Sequence, residues 1–323
     1  MNTAMLPLTV KEKVGYGLGD MASNFYMGFF GLFLLYYYTD VFGISPAAAA
    51  TMLLITKVID AISDPAMGLL ADRTQSRWGK YRPYLLWMAL PYAALGYLLF
   101  LGPDLSATGK LVYAYVTYTL VMLAYTAINV PYSALLTVIS SSSEERTKAT
   151  QYRFVFASLG TLSVGAMATP LVNLLGGGDE VQGFRLTIIL FAVLSVLLFW
   201  ITFATTKERV APVLHQASVK DDLADLIKNI SWVVLVVSGI LLIIGLIARF
   251  SSLVYYLKYY VGDDGSTVLW FLDRTAFMTS CGLIGQLIGA LLTPSLSQRF
   301  EKHYLVCAMG ILHAVLLGLC YVI

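Results

Sequence analysis

The segment AAAATMLLITKVIDAISDPAMGLLAD, residues 47–72, decides the class of this chain and raises its main functional question. A helix that crosses the bilayer hydrocarbon needs about 20 mainly apolar residues, and this stretch is long enough. Yet it carries Lys57, Asp60 and Asp64. Asp60 and Asp64 stand at i and i+4, so they share one helix face, about 5–6 Å apart at Cβ. Lys57 lies one turn before Asp60 on the same stripe, with Ser63 alongside. A charge at the bilayer centre costs at least about 2.5–3.5 kcal/mol. Two adjacent carboxylates also repel, so both stay ionised only with cations beside them. Lys57 neutralises one; the other needs a proton, a bound cation or another base. Pro65 has no N–H for the carbonyl of Ala61, which leaves a spare oxygen near two carboxylates and a hydroxyl. Oxygen-rich surroundings of this kind suit a hard cation. A purely structural Lys57–Asp60 ion pair is the competing reading.

The rest of the chain fits a membrane protein. Over 323 residues, 58% are hydrophobic and 12% charged, against about 25% charged in a soluble domain. The fold class is therefore all-α: a polytopic membrane helix bundle. About nine spans are expected, at residues 14–42, 47–72, 83–102, 110–139, 149–175, 184–205, 230–261, 267–297 and 303–323. The connections on the N-terminal side carry Lys11, Lys13, Arg73, Arg77, Lys80, Arg82, Arg146, Lys148, Lys207, Arg209, Lys220, Lys228, Arg299 and Lys302; the opposite set carries only Lys110, Arg185, Lys258 and Arg274. By the positive-inside rule the N-terminus is cytoplasmic. Tyr36, Tyr37 and Tyr38 read as an aromatic belt at the outer end of the first span. Cys281, Cys307 and Cys320 sit in apolar runs without metal-ligand spacing and read as small core residues.

The organisation reads as halves: an N-terminal six-helix bundle over 1–205, a cytoplasmic linker over 206–229 with an amphipathic helix, and a partial C-terminal bundle over 230–323. Within the linker, Val219, Leu223, Leu226, Ile227 and Ile230 recur at helical spacing. A long inner connection after six spans is the pattern of major facilitator transporters. The second half has fewer spans than the first, and ILHAVLLGLCYVI stops inside an apolar run. The expectation is a C-terminally incomplete version of a twelve-helix protein, a fragment not expected to transport.

Other polar residues interrupt the apolar spans. GYGLGDMASNF places Asp20, Ser23 and Asn24 together in the first span, and YTAINVPYSAL places Tyr125, Thr126, Asn129 and Ser133 on one stripe of the fourth. Arg153 and Arg249 sit inside later spans. Each is open to two readings, as a partner for a buried Asp or as a grip on a polar or anionic substrate. Hydroxyls, amides and aromatic faces around a central Arg suit a sugar. His215, His303 and His313 are scattered, with no nucleophile–base or metal-ligand spacing, so the chain does not read as an enzyme. No pore-loop signature supports a channel or membrane receptor, the alternative of a different class.

GYGLGD, YYYTDVFGIS, KVIDAISDPAMGLLADRTQSRWGKYRPYLLW, YTAINVPYSAL, YRFVFASLG and TKER, in that order, resemble the glycoside–pentoside–hexuronide:cation symporters, the melibiose-permease-like branch of the major facilitator superfamily. The resemblance runs from residue 10 to the end. It implies a twelve-helix secondary transporter in a bacterial cytoplasmic (inner) membrane, moving a sugar or glycoside inward with Na⁺, Li⁺ or H⁺. No cofactor is implied. The partners are the sugar, the monovalent cation or proton and the lipid bilayer, with no nucleic acid. The resemblance puts the cation site, a metal site if Na⁺ is the coupling ion, on Asp60 and Asp64 with Ser63 and Thr126. It puts the sugar site on Ser23, Asn24, Asn129, Ser133 and Arg153, joined in our reading by Asp20, Tyr125 and Arg249. Acids that hold the galactoside in the melibiose carrier are Asn24 and Asn129 here, and its Trp is Ser133. The pattern looks more like branches carrying glucuronides, xylosides or other pentosides; loss of two acids would also suit an anionic sugar. Asp72, Arg73, Arg77 and Lys80 correspond to an inner gate that pairs across the bundles. A lipid or drug transporter of the same fold is the nearest alternative.

Overall fold

The computed structural model describes residues 7–210, 228–262, 266–269 and 272–322. Every span expected from the sequence has a helical counterpart among them. Helix α1 (Val10–Phe29) starts on a capping box: the Thr9 hydroxyl accepts from the Glu12 N–H at 3.2 Å, and the Glu12 carboxylate accepts from the Thr9 N–H at 2.9 Å. It runs on through π turns at Phe30–Leu34 and Tyr37–Val41. Helix α2 (Pro46–Arg73) has Ser45 as N-cap and Pro65 within it. The third span is two helices, α3 (Arg82–Trp87) and α4 (Ala89–Leu99). Helices α5 (Ala107–Ile139), α6 (Ser143–Gly176) and α7 (Glu180–Thr205) complete the first half. Helix α8 (Ile230–Tyr255) ends in a π turn, Tyr256–Tyr260. Two short antiparallel strands, β1 (Thr267–Leu269) and β2 (Leu272–Asp273), precede α9 (Arg274–Arg299) and α10 (Lys302–Val322). By length and composition, α2, α5, α6, α7 and α8 with its π turn each suffice to cross a membrane.

Helix α1 is central: it packs on α6 and α7, while α2 lies along α5. Gly160 sets the α1–α6 distance. A Cβ there would come within 2.9 Å of the Met21 carbonyl and 3.1 Å of the Asn24 Cβ. Helices α1–α7 meet the later elements at the end away from the N-terminus and between α6 and α9. At that end Lys258 donates to the Tyr36 hydroxyl at 2.5 Å, and Tyr36 donates to Glu180 at 3.1 Å. Thr39 and Tyr255 share a hydrogen bond of 2.7 Å, Tyr259 donates to Asp40, and Thr169 donates to Asp273 at 3.0 Å.

Four expectations need correction. Tyr36, Tyr37 and Tyr38 are buried, not a belt in the lipid interface. The Tyr37 ring packs 4.7 Å from Phe100 and 5.4 Å from Phe184, because α1 is an inner helix. Cys281 and Cys307 are exposed, since on a membrane helix an apolar position faces lipid as readily as a core. The span expected from 267 begins at Arg274, where the Asp273 carboxylate caps the Ala276 N–H at 2.7 Å. The span expected from 149 begins at Ser143, behind a Ser142 cap. The expected amphipathic helix of the linker falls mostly on 211–227, outside the described residues.

The loop between α2 and α3 is tied down by Glu208 of the TKER motif. Its carboxylate accepts three successive backbone N–H groups, from Lys80 (2.9 Å), Tyr81 (2.8 Å) and Arg82 (3.0 Å). Gly79 makes this possible: its φ is +107°, and a Cβ would lie 2.4 Å from the Glu208 carboxyl carbon. Replacing Glu208 by Ala strands those donors, so we expect a loss of about 1–3 kcal/mol. Thermal unfolding of the purified protein in detergent checks this: Glu208→Ala lowers Tm and Glu208→Gln recovers part. An unchanged Tm would refute the anchoring role.

Candidate functional site

Two polar centres lie within the helices, and they handle charge differently. The first is on α2 and α5. Lys57 donates to Asp60 Oδ2 at 2.9 Å, with the lysine exposed and the carboxylate only 14% exposed. Asp60 Oδ1 is buried and has no hydrogen-bond partner among the described residues. One turn on, Asp64 Oδ1 accepts from the Thr126 hydroxyl of α5 at 2.8 Å. Ser63 turns back to the Asp60 carbonyl at 3.3 Å. Asn129 shares the α5 stripe with Thr126, and its Oδ1 is likewise buried without a partner among the described residues. Unpaired carboxylate and amide oxygens inside a membrane protein cost several kcal/mol each. Hard oxygen donors with an unfilled position fit a monovalent cation or a proton.

The second centre joins α1 to α6. Arg153 donates through Nε to Asp20 Oδ2 at 3.1 Å, and its guanidinium lies 5.0 Å over the Tyr132 ring. Tyr132 stacks on Tyr16 at 4.8 Å and donates to the Tyr16 carbonyl at 2.6 Å. Asn24 donates to the Asp20 carbonyl at 2.8 Å and accepts from Thr161 at 3.2 Å. Ser23 is buried, and its hydroxyl has no partner among the described residues. Tyr125 and Ser133 are half-buried on α5; the Tyr125 ring lies 6.2 Å from Tyr92. Arg249 stands apart, exposed on α8. Beside Asn24 opens a cavity of about 250 Å³ between the halves, lined also by Met27, Leu32 and Thr161 and, from α8 and α9, by Leu246, Ile247, Ser251 and Gln286.

The contacts shown for Asp72, Arg77 and Lys80, of the four residues assigned to the inner gate, are all to residues before 211. Asp72 accepts from the Tyr81 hydroxyl at 2.6 Å, Arg77 lies 4.3 Å over the Trp78 ring, Lys80 binds Glu208 through its backbone, and Arg73 is exposed in the last turn of α2. None of them pairs with the second half among the described residues.

The family model described as MFS/sugar transport protein matches residues 15–323. The chain belongs to this family. Among its relatives, the Inner membrane symporter YicJ of Escherichia coli is 40% identical over 290 residues, covering 90% of this chain and 61% of YicJ. The Isoprimeverose transporter of Lactiplantibacillus pentosus is 34% identical, covering 94% and 62% respectively. A Glucuronide carrier protein homolog of Escherichia coli is 32% identical, covering 91% and 63%. The chain thus spans somewhat over three-fifths of the length of the curated relatives it matches.

Of the residues at the second centre and its cavity, the sequence reading named Asp20, Asn24 and Arg153 but not Thr161, Ser251 and Gln286. Gln286, an amide in the apolar run GLIGQLIGALL, was detectable by the same test that exposed Asp60. Thr161 in SLGTLS carries no such signal.

The Asp20–Arg153 pair is mostly buried, at 12% and 23% side-chain exposure. Breaking it from either side leaves an uncompensated charge. Asp20→Asn or Arg153→Gln should each cost about 1–3 kcal/mol, allowing for partial exposure. The double variant should cost clearly less than the two together, as read by a double-mutant cycle on thermal unfolding. Additive losses would mean the pair is not coupled.

Proposed function

We propose that this chain is the greater part of a cation-coupled symporter, carrying a sugar or glycoside inward across a bacterial cytoplasmic membrane with its N-terminus in the cytoplasm. The observation that carries the reading is the buried, unpaired Asp60 Oδ1 beside the Asp64–Thr126 hydrogen bond. An oxygen held bare inside an apolar bundle is stable only if something charged visits it, and a coupling cation is that visitor. Asp60, Asp64 and Thr126 hold the ion, with Ser63 alongside and Lys57 offsetting the second negative charge. Asn129 lies within the same stripe. The ion is Na⁺, Li⁺ or H⁺. The sugar sits by Asn24, with Asp20, Ser23, Tyr125, Ser133 and Arg153 around it. The printed names of similar relatives, a symporter, an isoprimeverose transporter and a glucuronide carrier homolog, support the same reading.

The closed contacts at the end away from the N-terminus match an inward-facing state in which residues 1–205 and 230–323 act as two rocking bodies. In that state Asp72, Arg73, Arg77 and Lys80 make no pair with the second half among the described residues. They would meet the second half when the carrier turns outward.

Removing either carboxylate uncouples the ion from the sugar. Asp60→Cys and Asp64→Cys should abolish cation-driven accumulation of a radiolabelled glycoside in membrane vesicles, while unlabelled-for-labelled counterflow is partly retained. Wild-type accumulation by both variants would overturn the cation-site assignment.

A further inference from the structure

The cavity beside Asn24 has a chemistry that narrows the cargo. Its polar groups come from both halves: Asn24 and Thr161 on one wall, Ser251 and Gln286 on the other. Thr161 and Gln286 stand near the middle of α6 and α9, and Asn24 and Ser251 nearer the C-terminal ends of α1 and α8. Asn24 and Thr161 are held in place by each other. Ser251 and Gln286 make no side-chain hydrogen bond to another described residue, so the Gln286 amide offers two donors and an acceptor. A bare amide in the centre of an apolar helix is costly unless a ligand meets it. The remaining side chains on the walls are apolar, which suits the C–H faces of a sugar ring. At about 250 Å³ the space suits a small solute, not a lipid tail.

Among the described residues no charged side chain lines this cavity. The nearest pair along α1, Asp20 with Arg153, is closed on itself at 3.1 Å. A carboxylate entering here would be stripped of water without a cation among the lining residues to meet it. Resting on the symporter reading above, we infer that the cargo is a neutral glycoside and not a sugar acid, with Ser251 and Gln286 as its specificity-determining contacts from the second half. The sugar hydroxyls then bridge Asn24 and Thr161 to Gln286 and Ser251, so occupancy ties the halves together across the cavity.

The test is equilibrium binding to the purified protein in detergent. The probes are 4-nitrophenyl β-xyloside, α- and β-glucosides and galactosides, with 4-nitrophenyl β-glucuronide as the anionic counterpart. At least one neutral glycoside should bind, with the glucuronide weaker by about tenfold or more. Gln286→Leu should weaken that neutral glycoside about tenfold, the worth of a hydrogen bond or two, and Ser251→Ala a few-fold. Tm without sugar should not fall in either, and should rise if anything in Gln286→Leu, where the unmet amide is removed. Glucuronide binding as tight as the best neutral glycoside would overturn the neutral assignment while leaving symport standing. So would wild-type affinity in both variants for the Ser251–Gln286 assignment. Binding of no sugar, charged or neutral, would bring down the symporter reading and this inference with it.

Discussion

One oxygen atom organises the functional half of this structure. Asp60 gives Oδ2 to Lys57 and keeps Oδ1 buried and unpaired, within a helix whose neighbours in sequence are Ile, Val and Ala. Lipid offers nothing to such a group. The protein responds by laying α5 along α2, so that Thr126 meets Asp64 and the polar stripe of one helix faces that of the other. The Asp20–Arg153 pair is the contrasting solution. There both charges are local and satisfied, and the rings of Tyr16 and Tyr132 wall them in. In one centre both charges are paired with each other; in the other a carboxylate oxygen is left bare.

Packing places the two centres in one machine. Because residue 160 lacks a side chain, α1 approaches α6 closely enough for Asn24 and Thr161 to bond. The same α1 then runs into π turns at the far end, where its tyrosines and Asp40 meet α8. A π turn widens a helix and recurs at functional positions. Helix α1 therefore lines the cavity beside Asn24 and, through its π turns, meets residues of the 230–262 segment.

Much of this was legible in the sequence, for reasons that can be named. Spans were legible because 20 apolar residues in a row have few soluble uses. Asp60 and Asp64 stood out because lipid makes a carboxylate conspicuous, and Asp20 and Arg153 for the same reason. What pairs with what was not legible: Arg153 was open between a substrate grip and an Asp partner until the 3.1 Å contact with Asp20 appeared. Tyr36, Tyr37 and Tyr38 misled, because a tyrosine at a helix end looks alike facing headgroups or facing Phe100 and Phe184. Glu208 was hidden inside TKER, since a surface-type charge gives no hint that three backbone N–H groups 126 to 128 residues away converge on it. Long-range convergence is what a one-dimensional pattern omits.

The central claim, that Asp60 is held incomplete for a cation, is tested most directly by ion-dependent stability. A ligand that binds only the folded state raises Tm with concentration in a saturable way. The purified protein should be heated in choline buffer with rising Na⁺ or Li⁺, and separately across falling pH without either ion. The account predicts a saturable rise in one of these series for the wild type and its loss in Asp60→Asn. An identical response in both proteins, or none in either, would contradict it.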